Sequence, residues 1–300
     1  MSDVLVVGSI ALDTVSTPAG KVDEVLGGSA TYFSYAASFF GPVRLMGVVG
    51  EDFPDKNLDI LKEHSVDVSG VQKVPGKTFR WSGSYDGDMA EATTKHLELN
   101  VFESFRPDIP EKFQDTEFVF LANGDPETQL HLLDQLQNAR FVACDSMNHW
   151  IESSREALLK VLKRAEGFVL NDGEARLLTG EDNLIRAGNA IRTMGPKAVI
   201  IKKGPHGACL FASEGYFVAP AYPTEDVVDP TGAGDSFGGG LMGYLASKGA
   251  WDWTTLKRGV LMGTAVASFN VEGFSFKGFS DVKLYDIIRR SEELLTFSTV

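Results

Sequence analysis

A mostly parallel sheet with helices on both faces, an α/β architecture, is expected of this chain of 300 residues on two grounds. Short β-branched runs alternate with segments of helical spacing over most of its length, and that alternation buries a parallel sheet on both sides. Two polar or alternating stretches interrupt the rhythm and read as a small second sheet.

The buried strands are expected at residues 4–7, 43–49, 118–121, 141–144, 168–170 and 198–201. Between them, residues 29–40, 55–64, 127–138, 153–165, 173–178 and 183–194 carry helical spacing. A meander follows at 208–212 and 215–218, and helices at 232–247, 254–269 and 281–295 close the chain. The interruptions fall at 14–26 and 77–105, where residues 78–85 alternate as a strand with one apolar face. Two long structureless loops would be the alternative, and compact domains seldom carry them. The expectation is therefore one domain, 1–300, with a lid formed by about 14–26 and 77–105. Its two β stretches offer an edge through which a second copy could pair as a homodimer.

The net charge of −13 argues against binding a nucleic-acid backbone, although a local basic pocket could still hold a phosphate. Cys144 and Cys209 sit in apolar runs and read as buried free thiols of a reducing compartment. No Cys or His spacing suits a metal, and the first residues lack the basic start of a signal peptide. No run approaches the ~20 apolar residues of a membrane span. A cytoplasmic protein is expected.

Residues Asp229-Pro230-Thr231-Gly232-Ala233-Gly234-Asp235-Ser236-Phe237 carry the most information. Small-residue turns place an acid beside free backbone N–H groups at a helix start, where unpaired donors and a partial charge of roughly +0.5 attract phosphate. A carboxylate would repel that phosphate, so its sensible use is to take a proton from a hydroxyl as the phosphoryl group arrives. An N-cap aspartate with a glycine turn accounts for the acid alone and not for the whole nonapeptide.

Four further motifs each admit a plain reading beside the functional one. Gly27-Gly28-Ser29-Ala30-Thr31-Tyr32 opens a helix; paired glycines let a ligand approach the backbone, and Ser29 can cap. Asp13, in Gly8-Ser9-Ile10-Ala11-Leu12-Asp13 after the first strand, can accept from two hydroxyls of a polyol or be a surface turn acid. Asn171 and Glu174, three apart at a helix start, suit a hydrated Mg²⁺ shared with nucleotide phosphates, or ordinary capping. Lys202, in the turn reaching Gly204 and Gly207, could neutralise phosphate charge or belong to a solvated hairpin. The stretch from Gly70 to Thr78 imitates a P-loop, but five residues separate its glycines where about four are needed.

The two glycine-rich motifs, with 8–13 and 171–174 in the same order, resemble the signatures of the ribokinase-like (PfkB) carbohydrate kinases across essentially the whole chain. The resemblance implies a ribokinase-like three-layer sandwich with a small β-sheet lid, and an ATP-dependent kinase using Mg²⁺. It implies that Asp235 is the catalytic base and that Gly232, Ala233 and Gly234 form the anion hole for the transferred phosphoryl group. Asp13, Gly27, Gly28 and Ser29 fall where the acceptor binds. Asn171 and Glu174 help organise Mg²⁺, and Lys202, Gly204 and Gly207 line the nucleotide side. Asn270 and Gly273 fall near the adenine edge, and Asp229 corresponds to a position that in some members binds a monovalent cation such as K⁺.

Ribokinases proper carry asparagine where this chain has Ala11 and Tyr32. Those changes remove polar partners and add a packing surface, which favours an acceptor with an aromatic portion. The expected acceptor is thus a small sugar, polyol or nucleoside. Within that range a nucleoside kinase competes with a sugar kinase, and a non-catalytic sensor on the same fold is the rival from another class. Asn123, Asp145 and Asn148, each following a sheet strand, are further pocket candidates. Arg80 on the lid either reaches the acceptor or pairs with a surface acid.

Overall fold

A computed structural model describes residues 2–87 and 89–297. The chain begins with β1 (Val4–Val7), the hairpin β2 (Ala11–Thr17) and β3 (Gly20–Gly27), and α1 (Ser29–Ser38). Next come β4 (Val43–Gly50), α2 (Asp55–Lys62), β5 (Val66–Val74), β6 (Phe79–Tyr85) and β7 (Ala92–Glu98). The central part runs β8 (Phe118–Leu121), α3 (Pro126–Leu133), β9 (Phe141–Cys144), α4 (Asn148–Ser153), α5 (Arg155–Leu162), β10 (Gly167–Asn171) and α6 (Asp172–Thr179). It closes with α7 (Leu184–Thr193), β11 (Ala198–Lys202), β12 (Ala208–Ala212), β13 (Gly215–Ala219), α8 (Ala233–Lys248), α9 (Trp253–Asn270) and α10 (Leu284–Thr296).

The large sheet has nine strands in the order β13-β12-β11-β10-β9-β8-β1-β4-β5. From β5 to β11 every pairing is parallel; β12 and β13 add an antiparallel edge. Alternate residues of β1 feed two cores, because successive strand side chains point to opposite faces. Val4 and Val6 pack with Phe33 of α1 and Leu241 of α8, whereas Leu5 and Val7 pack with Leu132 of α3 and Leu158 of α5. Each such side chain contributes roughly 1.5–3 kcal/mol when fully buried, so these central strands are fixed from both sides.

The smaller sheet, β3-β2-β6-β7, takes in both interrupting stretches. β2 and β6 run parallel while β3 and β7 flank them antiparallel. It is tied to the main body by Thr17 Oγ1 donating to Val228 O at 2.8 Å and by Ser275 Oγ donating to Leu26 O at 2.7 Å.

Some elements differ from expectation. β5 has no counterpart in the sequence reading, because it is a sheet edge: only Val66 and Gly70 are buried there, and its other positions are polar or half-exposed. The helix expected at 127–138 is the shorter Pro126–Leu133, started by Asp125 accepting from Glu127 N. α4 forms ahead of residue 153, where the sequence reading placed no element.

Helix α8 lies against α1 and α9 through glycines. A Cβ on Gly239 would stand 2.3 Å from Phe33 O, and one on Gly263 would stand 2.6 Å from Phe237 O. Backbone cannot yield as a side-chain tip can, so Gly239→Val is expected to cost at least ~2 kcal/mol through overpacking. Urea unfolding checks this; an unchanged midpoint would contradict the close approach.

Candidate active site

Order in the large sheet reverses between β1 and β8, and ligands of open α/β sheets gather at such a switch point, beyond the carboxyl ends of the strands. The segments leaving β1 and β8 bring Ser9 and Asn123 to one cleft of about 440 Å³. Gly8 permits the approach, since a Cβ there would meet Ala122 Cβ at 2.7 Å. Ser29 is the first residue of α1 and does not cap it. Its N–H instead donates to Ser9 Oγ at 3.0 Å, and the two hydroxyls lie 3.0 Å apart.

Asp13 stands on β2, within the small sheet, rather than in the loop after β1. It lines the cleft and is only 4% exposed. Burial pushes its pKa up to about 7; the Gly28 N–H opposes this, and the charges of Asp229 and Asp235 add to it. Gly27 gives the carboxylate its room, since a Cβ there would lie 1.9 Å from Oδ2.

The turn before α8 is built to leave donors unpaired. Gly232 takes a left-handed φ of 75°, and a Cβ on it would strike the Tyr32 ring at 2.3 Å. Among the described residues no backbone carbonyl accepts from the Gly234 or Asp235 N–H groups. Asn270 holds this turn. Its Nδ2 donates to Thr231 O at 2.8 Å and its Oδ1 accepts from Ser236 Oγ at 2.9 Å. Fully buried and already engaged on both sides of its amide, Asn270 is a brace for the turn. Gly273 follows in the same packed region, where a Cβ would come within 2.5 Å of Gly278 N.

Asp235 reaches the cleft from the first turn of α8 and is half-buried there. Burial raises its pKa to about 6, while Lys202 and its own N–H pull the other way. Parallel pairing of β10 with β11 sets Asn171 beside Lys202. Lys202 Nζ lies 2.7 Å from where a Gly234 Cβ would be, so the ammonium stands against the first turn of α8. Asn171 and Glu174 form a reciprocal capping box, each side chain accepting from the other's N–H at 2.7 Å. Glu174 is buried and its pKa is raised, chiefly by desolvation. Asp145 belongs with this group rather than with the cleft wall: it is buried, Oδ1 has no hydrogen-bond partner, and burial followed by the Asp235 charge holds its pKa well above the usual range. Gly207, at φ 82°, lets the turn that begins at Gly204 pass Ala219 O. Asp229 is 1% exposed; its Oδ1 accepts from Thr231 N at 2.9 Å and its Oδ2 has no partner.

Aromatic side chains share the cleft with these acids, Trp81 standing opposite Asp13 in the strand register. Phe79, Trp81 and Tyr85 of β6 line the cleft, with Phe102, Met147 and Trp150. Tyr32 is 1% exposed, stacks near Phe276 with ring centroids 5.0 Å apart, and leaves its hydroxyl unpaired. Asn123 Oδ1 accepts from Trp150 Nε1 at 3.1 Å. Of the remaining candidates, Asn148 is exposed and does not line the cleft. Arg80 is taken up by Glu24 and Asp52, each at 2.8 Å, and is likewise absent from the cleft wall. A second cavity of about 350 Å³ adjoins, sharing Leu99, Phe102, His149 and Trp150.

Sequence reasoning did not name Phe79, Trp81, Tyr85, Met147 or Trp150 as site residues. A signal existed for the first three, which sit on one face of an alternating strand. Met147 and Trp150 had none, because they reach the cleft through a short helix that periodicity could not resolve.

A crevice at a parallel-sheet switch point, an acid among open amides at a helix start and a lysine beside them define an enzyme of phosphoryl transfer. The chain belongs to the pfkB family of carbohydrate kinases, whose model matches residues 1–277. The cytidine kinase of Thermococcus kodakarensis is 32% identical over 252 residues, covering 81% of this chain and 89% of that protein. The aminoimidazole riboside kinase of Salmonella typhimurium is 25% identical, with 90% and 89% covered. The solved nucleoside kinase of Methanocaldococcus jannaschii superposes with a TM-score of 0.78 at 22% identity, covering 98% of this chain and 99% of that one. The fold is thus ribokinase-like. The protein is an ATP-dependent phosphotransferase acting on a hydroxyl of a small sugar, polyol or nucleoside. No helix among the described residues is long and apolar enough to cross a membrane.

The raised pKa of Asp13 carries a sign for stability. Its folded value of about 7 lies above the 3.8 of an unburied aspartate, so the ligand-free fold holds a proton that the unfolded chain releases between those pH values. The penalty of the buried charge is full above about pH 7 and gone below about pH 4. Asp13→Asn is therefore expected to raise the melting temperature at pH 8, with the gain shrinking on acidification towards pH 4. Thermal unfolding of the unliganded pair across that range measures it, and a gain independent of pH would refute the assignment.

Proposed function

We propose that this enzyme is a nucleoside kinase, that Asp235 deprotonates the acceptor hydroxyl, and that the acceptor's base lies against the aromatic side chains of the cleft. One observation carries the reading: a single cleft is lined both by the acids Asp13 and Asp235 and by the aromatic side chains Phe79, Trp81, Phe102 and Trp150. A free sugar would leave the aromatic lining wet, whereas a nucleoside covers both kinds of wall. The names of the cytidine kinase and nucleoside kinase relatives support the same choice.

In this reading Asp13 accepts from the ribose hydroxyls and fixes the acceptor on β2. The Asp235 carboxylate takes the proton as the oxygen attacks the γ-phosphorus. The open N–H groups of Gly234 and Asp235 then meet the charge on the transferred group, aided by Lys202. The small sheet acts as the lid, and its apolar face excludes water that would otherwise compete for the phosphoryl group.

The residues fit Mg²⁺ held mainly by water and phosphate. No cluster of three or more His, Cys, Asp or Glu side chains among the described residues could cage a metal, yet the partnerless Asp145 Oδ1 and buried Glu174 leave negative charge unbalanced beside Lys202. When bound, Mg²⁺ would neutralise phosphate charge there. The partnerless Asp229 Oδ2 fits a monovalent cation in the same sense.

Comparing ribonucleosides with free ribose and fructose by ADP release tests the acceptor class. At least one nucleoside is expected to exceed every free sugar in kcat/KM by about 100-fold, the order of discrimination such pockets reach; equal or better use of a free sugar would overturn the reading. Asp235→Asn should lower kcat by ~10²–10⁴-fold, as loss of a general base does, while ATP still binds with little change. Because Asp235 must be ionised to act and its pKa is about 6, kcat/KM should fall below that pH by about tenfold per unit. Near-normal turnover of the Asn variant, or a flat acid limb, would remove Asp235 from the role.

A further inference from the structure

Asn123 follows β8 at the switch point, half-buried, and lines the cleft with both the acids and the aromatic side chains. Its orientation is fixed by chemistry. The Trp150 indole N–H can only donate, so the carbonyl of the Asn123 amide must face it, at 3.1 Å. The amide nitrogen is thereby turned the other way. Its one neighbour there is the Met147 thioether, with Nδ2–Sδ 3.2 Å, a weak acceptor that leaves an N–H group unspent. Asn123 therefore presents a donor, and no acceptor, to a cleft whose lining includes Trp81, Phe102 and Met147.

We propose that Asn123 selects the base of the acceptor, and that it favours cytosine. This rests on the nucleoside reading above. Cytosine carries two adjacent acceptors, N3 and O2, so a donor meets a lone pair at either. Uracil places N3–H between its carbonyls, and a donor facing the middle of that edge meets another donor. Trp150 is then a positioning residue, holding the amide in the orientation that makes this distinction.

The experiment is the ratio of kcat/KM for cytidine over uridine in three proteins. In the unaltered enzyme the ratio is expected to be roughly 10 or more, about what one well-placed neutral hydrogen bond yields. Asn123→Asp keeps the bond from Trp150 but presents an acceptor, so the ratio should drop below unity. Trp150→Phe frees the amide to turn over, so the ratio should approach unity while nucleosides are still phosphorylated. Residues needed only for folding or general packing would lower both substrates together and leave the ratio intact, and that result overturns the proposal. If the unaltered enzyme phosphorylates free sugars and no nucleoside, the nucleoside reading fails and the base assignment with it. An unchanged ratio in variants that still phosphorylate nucleosides removes only the base assignment.

Discussion

Negative charge is concentrated where this fold can least solvate it. Asp235 sits at the start of α8, and Asp13, Asp145, Glu174 and Asp229 lie buried around it, with Lys202 the cation acting on Asp145, Glu174 and Asp235. A helix N-terminus returns about 0.3–1 kcal/mol to a carboxylate, up to ~2 kcal/mol in favourable geometry. Taking that carboxylate out of water costs several kcal/mol. Desolvation is the larger effect, and all five acids accordingly have raised pKa values with burial as the first cause. Such a site gains from any cation brought with the nucleotide. A general base also benefits, because a carboxylate with pKa about 6 holds a proton more readily than a solvated one while remaining mostly ionised at neutral pH.

The backbone around this acid is as demanding as its electrostatics. Tyr32 closes under Gly232, Asn270 clamps Thr231 and Ser236, and the loop from 228 to 229 is held through its N–H groups by Val271 O. Every one of these contacts crosses from one part of the chain to another. They explain why the open amides of the turn can stay open: the carbonyls that might have closed on them are already committed elsewhere.

Much of the α/β frame was legible because its strands are buried on both faces and read as short continuous apolar runs. β5 was not, since an edge strand with one neighbour tolerates polar residues at positions a central strand would fill with valine. The acid and glycines at 229–235 were legible because turn chemistry is local. The role of Asn270 was hidden for the opposite reason: its partners lie 34 and 39 residues away, and nothing in its neighbours hints at them. Arg80 illustrates a third limit. Both of its possible uses were visible, but choosing between them needed the positions of Glu24 and Asp52, which come from β3 and the loop after β4.

The placement of Asp13 also bears on how the cleft can close. Because it belongs to β2, the polar anchor proposed for the acceptor and the aromatic side chains of β6 share one small sheet, joined by parallel pairing from Ala11↔Phe79 to Ser16↔Ser84. A lid that moved as one rigid plate would drag the acceptor away from Asp235 whenever it opened. The bonds from Thr17 to Val228 and from Ser275 to Leu26 argue against that, since they pin β2 and β3 to the same body that carries α8. If the small sheet is the lid of the proposed reading, opening falls to its outer part, where β7 is the edge strand and residues 92–97 are exposed. Asp13 and the aromatic side chains of β6 then stay registered with Asp235 while β7 moves.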